Sequence, residues 1–421
     1  MSNRSPGLVP RLGISTLAAM SERDSPISGQ VVIVGGGVAG LEALIALRAL
    51  VGDRLAVTLV SQDDWFVDRP LTVGEPFGLA SAARHPLAEI AAEFDAKFVH
   101  ATVAEVAGAE HRISCADSPD LGFGTLILAP GARTRPPFAD AITFGVAGSG
   151  QAVKDMLSRL RSGEMRNAAF VAPSTAGWLL PLYELALMTG RELARSKVEG
   201  AQLRLVTPED RPLALFGDQG SETVGRLLTA AGIEFIGATR AIARGRDVAL
   251  GSTGESVAVD CVVTLPLLRG PGLAGVPATQ PDDFIPVDEY GRVPGLADVY
   301  AAGDAVNFPV KQGGLAAQQA DVVAAHVAAH HGARVDAPPF RPVLRGMLLT
   351  GGEPRFMRSG VAGTDPEIPG AWYPLWWPPT KIAGRYLAPY LLGRGEEEGF
   401  GPPDVGFIDL DIPLTASTLP G

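Results

Sequence analysis

Cysteine is nearly missing: the 421 residues hold two, Cys115 and Cys261, with no C-x-x-C pair. That excludes a disulfide framework and a cysteine-built metal site. Both thiols stand in or beside strand-like runs, where a buried, inert cysteine is the expectation. Positive charge is also in short supply. Lys and Arg total 35 against 46 Asp and Glu, a formal net charge of −11. No nucleic-acid surface is expected, since neutralising phosphates takes clustered cations. No apolar run reaches the roughly 18 residues of a transmembrane segment. The first 29 residues, rich in Ser, Pro and Arg, lack the apolar core of a signal peptide. They read as a flexible extension, with Met20 as an alternative start to Met1, and the expected compartment is the cytoplasm. What is plentiful is apolar: 46% hydrophobic against 19% charged, enough for two or three folded domains.

Residues 30–50, QVVIVGGGVAGLEALIALRAL, carry the strongest local signal. An apolar, β-branched run at 31–34 ends in glycines, and apolar residues then recur at helical spacing from 41 to 50. That is a strand, a tight turn and a helix. Gly35, Gly37 and Gly40 satisfy G-x-G-x-x-G, with Val38 and Ala39 completing the loop. The first glycine makes the turn, the second admits a pyrophosphate to the backbone, and the third lets helix and sheet pack closely. The helix start offers unpaired N–H groups to the phosphates. A glycine-rich turn of another α/β protein is the bland alternative. The strand before and the helix after favour a dinucleotide.

Further along, 55–60 reads as a second strand. Ser61 stands where a Rossmann unit wants an acid for the ribose hydroxyls, with Asp63 and Asp64 a little late, which weakens a simple NAD reading. Residues 65–78 form an apolar loop whose three aromatics, Trp65, Phe66 and Phe77, suit a ligand wall. Residues 98–106, including Val103, read as a strand edge. FGTLILAPGAR (123–133) is a strand followed by Pro-Gly, placing Ala129, Pro130 and Gly131 at its tip. DVYAAGD (298–304) is another strand, ending in Gly303 and Asp304 ahead of an Ala-rich helical stretch at 313–331. A strand-end aspartate accepts hydrogen bonds from sugar-alcohol hydroxyls, and the helix start behind it stabilises negative charge. Helix capping by aspartate explains Asp304 alone and not the set.

GGGVAG, LAPGAR and AAGD, far apart in sequence and serving one cofactor, together resemble the pyridine nucleotide-disulfide oxidoreductase superfamily. Its middle motif is usually A-T-G; here Pro130 replaces the Thr. The resemblance implies an α/β fold with two Rossmann-like dinucleotide-binding domains. The FAD domain would be discontinuous (30–147 and 281–340), with a second domain inserted at 148–280 and a capping or interface region at 341–421. It also implies that Val103 meets the adenine ring, and that Lys311 and Gln312 lie near the isoalloxazine.

The insert shows strands near 168–172, 203–206, 233–236 and 261–265, and helices at 181–194 and 221–231. Where a second glycine fingerprint belongs, one glycine remains, flanked by Pro173 and Trp178. NAD(P)H is therefore not expected to bind there in the usual way. PLYELALM (181–188) is similar to the P-x-Y-E helix start of sulfide:quinone oxidoreductases, as are Ser61, PVKQGG (309–314) and a Trp-rich stretch at 372–392. In that branch two cysteines beside the flavin carry sulfur. Alignment to the branch puts Trp178 and Met347 at those positions, so its sulfide chemistry is not expected. The type II NADH dehydrogenases, also near relatives, need a nicotinamide site that this chain has lost.

The resemblance leads to an FAD-dependent oxidoreductase moving electrons from a small donor to a quinone-like or protein acceptor. Lys311 would raise the flavin potential by stabilising negative charge; a solvated lysine is its alternative. Trp178, Trp372, Trp376 and Trp377 would form an aromatic slot for a planar acceptor, or equally an interdomain core. Tyr183 and Glu184 would be a proton relay or simply structural. KIAGRYLAPYLLGR (381–394) is basic and apolar. In quinone-reducing relatives such segments touch the membrane surface, and a peripheral contact with its inner face is one expectation. A docking or homodimer-forming helix is the favoured one. The acidic tail carries FIDLDIPL, suited to adding a strand to an exposed edge. Two rivals remain: an NAD(P)H-dependent reductase with an altered site, and a non-catalytic flavin-binding interaction protein.

Overall fold

Val31, Val32 and Ile33 have no exposed surface. A strand that apolar belongs in the middle of a parallel sheet with both faces covered. In the computed structural model, which describes residues 29–173, 177–251, 253–359, 368–371, 375, 376 and 378–394, Gln30–Val34 takes that place. The parallel order is Val299–Ala301, Thr125–Leu128, Gln30–Val34, Ala56–Ser61, Lys97–His100. On one face the helix Val38–Val51 packs against Gly313–His330. The second helix is buried there through Ala316, Ala317, Ala320 and Ala324, small side chains that let two helices approach closely.

A second parallel sheet runs Ile142–Thr143, Cys261–Thr264, Asn167–Val171, Gln202–Val206, Ile233–Ile236. Its helices are Ser149–Arg161, Leu180–Arg195 and Gly217–Ala230. Each sheet with its helices makes a lobe, and the antiparallel pair Arg133–Arg135 with Leu267–Arg269 runs between them. The described part is thus the α/β arrangement of parallel sheets expected of Rossmann-like domains. The smaller antiparallel sheet Leu344–Leu348, Arg355–Ser359, Ile368–Ala371 follows.

Three local expectations need correcting. Residues 98–106 are not one strand. Parallel pairing ends where the Ala101 N–H donates to Ser61 O, and the next N–H, of Thr102, is taken by the Asp117 carboxylate at 2.9 Å. The chain then turns into a separate antiparallel sheet at Val103–Ala107. Residues 65–78 are not plain loop either. Trp65–Val67 pairs with Arg84–Pro86, and Arg69–Phe77 is a 3-10 helix started by Pro70 and stopped by left-handed Gly78. The helix expected at 221–231 starts earlier, at Gly217. The N-terminal extension to residue 28, Trp372, Trp377 and the acidic tail beyond 394 lie outside the described residues.

Of the readings of the segment 381–394, the structure shows the docking one: its helix packs on the first lobe. Glu42, fully buried in the first helix, accepts from the N–H groups of Tyr386 and Leu387 at 2.7 and 2.8 Å. These open the last helix, Leu387–Gly393, which packs on the first. Asp321, from Gly313–His330, hydrogen bonds to Glu42. Burial and the Glu42 charge push Asp321 from 3.8 up to about 9, against the pull of Arg385. At neutral pH it keeps its proton and donates it to Glu42. A folded pKa raised this far gives a stability contribution that is full below pH 3.8 and gone above about 9. Asp321→Asn supplies an N–H donor that needs no proton. Urea unfolding should find it more stable than the parent by about 2 kcal/mol at pH 7, with the gap widening at pH 9 and vanishing at pH 4. Parallel stability curves for the two proteins would refute the shared proton.

Candidate functional site

A cleft of about 3160 Å³ lies between the lobes. Ordinary ligand pockets run to roughly 300–1,000 Å³, so it has room for an extended dinucleotide and a second molecule. The carboxyl ends of the first sheet's strands open onto it, where α/β sheets bind ligands. Gly35, Gly37, Val38, Ala39, Ser61, Val103, Ala129, Pro130, Gly131, Gly303, Asp304, Lys311 and Gln312 all line it, with Trp178 contributed by the other lobe. Gly40 stands behind the wall.

The three fingerprint glycines meet three different surroundings. Gly35 has φ +113°, and a Cβ on it would overlap Ala129 O. A Cβ on Gly40 would overlap Gly35 O, so helix and turn touch backbone to backbone. A Cβ on Gly37 would meet nothing within 4 Å; it would project into open cleft. The helix Val38–Val51 has no side-chain cap at its start, leaving its first N–H groups for an anion. Ser61 accepts the Asp63 N–H at 3.1 Å, and its Oγ lies 3.1 Å from where a Gly36 Cβ would stand.

At the far end Gly303, φ +79°, donates its N–H to Gln319 at 2.8 Å. Burial raises the Asp304 pKa, opposed by Lys311 and Arg69. Lys311 donates to Val306 O and lies 3.7 Å from the Phe284 ring centroid. Burial draws its pKa down to about 8, against the attraction of Asp304. The Gln312 side chain is already spent. It accepts the Leu315 N–H at 2.8 Å as a helix cap and donates to Arg345 O at 3.0 Å, so only its backbone faces a ligand.

Tyr183 and Glu184 do not form a relay, because successive helical residues point about 100° apart. The Tyr183 hydroxyl donates to Glu209 at 2.6 Å and accepts the Leu213 N–H at 3.2 Å. Glu184 receives Lys381 Nζ at 2.6 Å on each oxygen and the Leu349 N–H at 2.8 Å. Burial raises the Glu184 pKa and Lys381 opposes it. Neither Tyr183 nor Glu184 lines the cleft, but Lys381 does. Nothing local in the sequence marks Lys381, whose partner is 197 residues away. Trp376 is buried edge-on against Phe356 and donates to Thr380 O, so it belongs to packing and not to a cleft wall. The ring beside Trp178 is Phe216, 6.0 Å away at 64°.

Neither cysteine reaches the cleft. Burial pushes Cys261 up to about 11, and burial with Asp120 and Asp117 raises Cys115. Both are thiols, not thiolates, at neutral pH.

The family model described as "Pyridine nucleotide-disulphide oxidoreductase" matches residues 29–332. The chain belongs to this family. It is accordingly an FAD-dependent oxidoreductase. Its fold is similar to the sulfide:quinone oxidoreductase from Aquifex aeolicus (TM-score 0.71, 19% identity, 81% of this chain and 84% of that one). It is also similar to the ferredoxin reductase for the CYP199A2 system from Rhodopseudomonas palustris (0.59, 19%, 80% and 84%). Putidaredoxin reductase, in covalent complex with putidaredoxin, is a third (0.59, 19%, 80% and 83%). At such identities the likeness speaks for the fold alone. No curated protein sequence matches the chain.

The first lobe's end of the cleft fits FAD: the open face of Gly37, the uncapped helix start and the buried Asp304 are the surroundings a pyrophosphate and a polyol need. In the second lobe two of the positions a dinucleotide would use are already engaged. A Cβ on Gly177 would overlap Pro309 O, so the one surviving glycine serves contact between lobes. Glu209, just past the strand Gln202–Val206, is consumed by Tyr183 and Thr207.

Gly37→Ala and Gly40→Ala should separate binding from folding. Gly37→Ala is expected to leave the melting temperature of the FAD-free protein unchanged while the purified protein loses most of its 450-nm flavin absorbance. Gly40→Ala forces the turn open and should cost about 2–3 kcal/mol of stability even without cofactor. Equal behaviour of the two would contradict the separate roles.

Proposed function

We propose that the chain passes electrons from a small-molecule donor through FAD to a quinone-like or protein acceptor, without cysteine-based sulfide chemistry. The carrying observation is that Trp178 and Met347, which take the aligned positions of the two sulfur-handling cysteines, both line the cleft while Cys115 and Cys261 do not. A tryptophan and a thioether form no persulfide. We divide the chain into an FAD lobe of residues 30–147 and 281–340, an inserted lobe of 148–280 that has lost its nucleotide site, and a C-terminal region from 341 that caps the cleft.

FAD, when bound, supplies two-electron chemistry. The protein's own groups do the rest. Gly35, Gly37, Val38 and Ala39 would hold the pyrophosphate, with Gly40 letting the helix approach behind them, Ser61 and Val103 would hold the adenosine end, and Ala129, Pro130 and Gly131 form the neighbouring strand tip. Gly303 and Asp304 take the polyol, and the Gln312 backbone sits at the helix start. Lys311 places a positive charge beside Asp304 and is the residue best suited to favour negative charge at the flavin end. Trp178 walls the cleft. The buried Glu184–Lys381 pair holds the C-terminal region against the inserted lobe.

Two named relatives suggest acceptor classes: a quinone, for the sulfide:quinone oxidoreductase, and a protein such as putidaredoxin, for its reductase. Among the described residues no helix is long and apolar enough to cross a membrane. We propose the cytoplasm, or the inner face of the membrane, as its location.

Under anaerobic conditions NADH, NADPH and sulfide should each fail to bleach the flavin within seconds. Fast bleaching by a nicotinamide would refute the closed second site, and bleaching by sulfide would refute the cysteine-free reading. Lys311 carries its charge below about pH 8 and loses it above. Lys311→Met should therefore lower the flavin's two-electron potential by on the order of 30 mV at pH 6.5 and leave it unchanged at pH 9.5. An equal potential at both pH values would remove Lys311 from the site.

A further inference from the structure

Phe216 belongs to the inserted lobe's apolar core and also reaches the cleft wall. It lies on the loop 208–217 of the inserted lobe, is 5% exposed, and stands edge-on to Trp178. Its ring tip lies 2.5 Å from where a Cβ of Gly346 would be. Gly346 precedes Met347 in the strand Leu344–Leu348, so the ring stands between Trp178 and the strand that carries Met347, the two residues aligned with the cysteines of the sulfide:quinone branch. Only a glycine at 346 leaves room for it.

The loop is held in a costly shape. Leu213 is buried with φ +46° and ψ +51°, a left-handed conformation that costs a non-glycine residue roughly 1–2 kcal/mol. Tyr183 and Glu209 offset that cost. The Leu213 N–H donates to the Tyr183 hydroxyl, which donates to Glu209. Glu209 also accepts from Thr207 and from the backbone of Leu213 and Ala214. With its carboxylate surrounded by donors, the loop has one way to lie, and that way seats Phe216.

The wall so made is apolar. Leu215, Leu344 and Met347 line the cleft with Trp178 and Phe216. Trp178 is half-buried, so part of its indole remains exposed to the cleft. Two cations of the cleft, Lys381 and Arg211, are bound by Glu184 and Asp218. Glu209 is spent. The part of the wall formed by Trp178, Phe216, Leu215, Leu344 and Met347 is apolar and offers aromatic surface to a flat ring.

We propose that Phe216, seated by the Tyr183–Glu209 pair, is the specificity-determining residue of a pocket for a planar, uncharged ring compound at the position of the lost thiols. Tyr183 is then a positioning residue. This rests on the reading of the chain as a flavin oxidoreductase that does without thiol chemistry.

The test is calorimetric titration of the FAD-loaded protein with 2-methyl-1,4-naphthoquinone and, separately, with sodium hydrosulfide. The naphthoquinone should bind saturably and hydrosulfide should give no heat of binding. Phe216→Leu keeps an apolar filler without the ring, and Gly346→Ala pushes the ring from its seat. Each should raise the naphthoquinone Kd about tenfold with flavin content unchanged. Tyr183→Phe should raise it about threefold; a merely structural tyrosine would lower the melting temperature and leave Kd alone. An unchanged Kd in both Phe216→Leu and Gly346→Ala would overturn the proposal, as would absence of naphthoquinone binding to the parent. Neither result touches the cysteine-free reading, which fails on its own terms if sulfide bleaches the flavin.

Discussion

The molecule is organised around a contact with no side chains in it. At the first turn Gly40 of the helix lies against Gly35 O, and Gly35 lies against Ala129 O. Three backbone segments meet where any Cβ would force them apart. The contact brings the helix start level with the strand tips, so its free N–H groups and the tips at Ala129 and Gly303 face one cleft. Gly303 continues the same logic, since a Cβ there would stand 2.9 Å from that of Ala39. Everything chemical about the first lobe follows from this close approach, which apolar packing alone would not specify to within an ångström.

A second theme is the buried carboxylate used as a fastener. Glu42 takes two N–H groups of the C-terminal helix, Glu184 takes Lys381 and the Leu349 N–H, and Glu209 takes Tyr183 and the loop at Leu213. In all three, burial raises the pKa and the donors oppose it. Burying a charge costs several kcal/mol, which its partners repay only with good geometry. What these groups gain is definition. Each ties a segment distant in sequence to one position, where leucine would permit sliding. Glu184 and Glu42 both act on the segments after residue 341, so these are fixed from both lobes.

The sequence made most of the first lobe legible because its signals are local. Glycine spacing, β-branched strands and an alanine-rich helix act within a dozen residues, and the strand tips at Ala129, Gly303 and Asp304 line the cleft together. Val103 was harder to read: its neighbour Thr102 gives its N–H to Asp117, and that side-chain contact ends a strand which propensity would have continued. Lys381, Phe216 and Asp321 were missed or misread for one reason. Their roles exist only through partners brought close by the fold, and a basic, aromatic segment looks the same in sequence whether it meets a membrane or buries its lysine on Glu184. Tyr183 and Glu184 stood out as residue types, yet adjacency in sequence turned them to different partners.

In the second lobe, the positions a nucleotide site would use are tied to other parts of the molecule. Restoring two glycines after the strand Asn167–Val171 would not recreate a phosphate loop, because Gly177 now packs on Pro309, two residues before Lys311. Moving Gly177 away would disturb the segment that carries the cation beside Asp304. The acid past the next strand is also committed: freeing Glu209 for a ribose would release the Leu213 loop and unseat Phe216. The same contacts support the segment bearing Lys311 and the aromatic wall of Trp178 and Phe216. On the proposed reading, the flat compound that meets Trp178 and Phe216 is the acceptor, and the small donor does not enter as a nicotinamide held in this lobe.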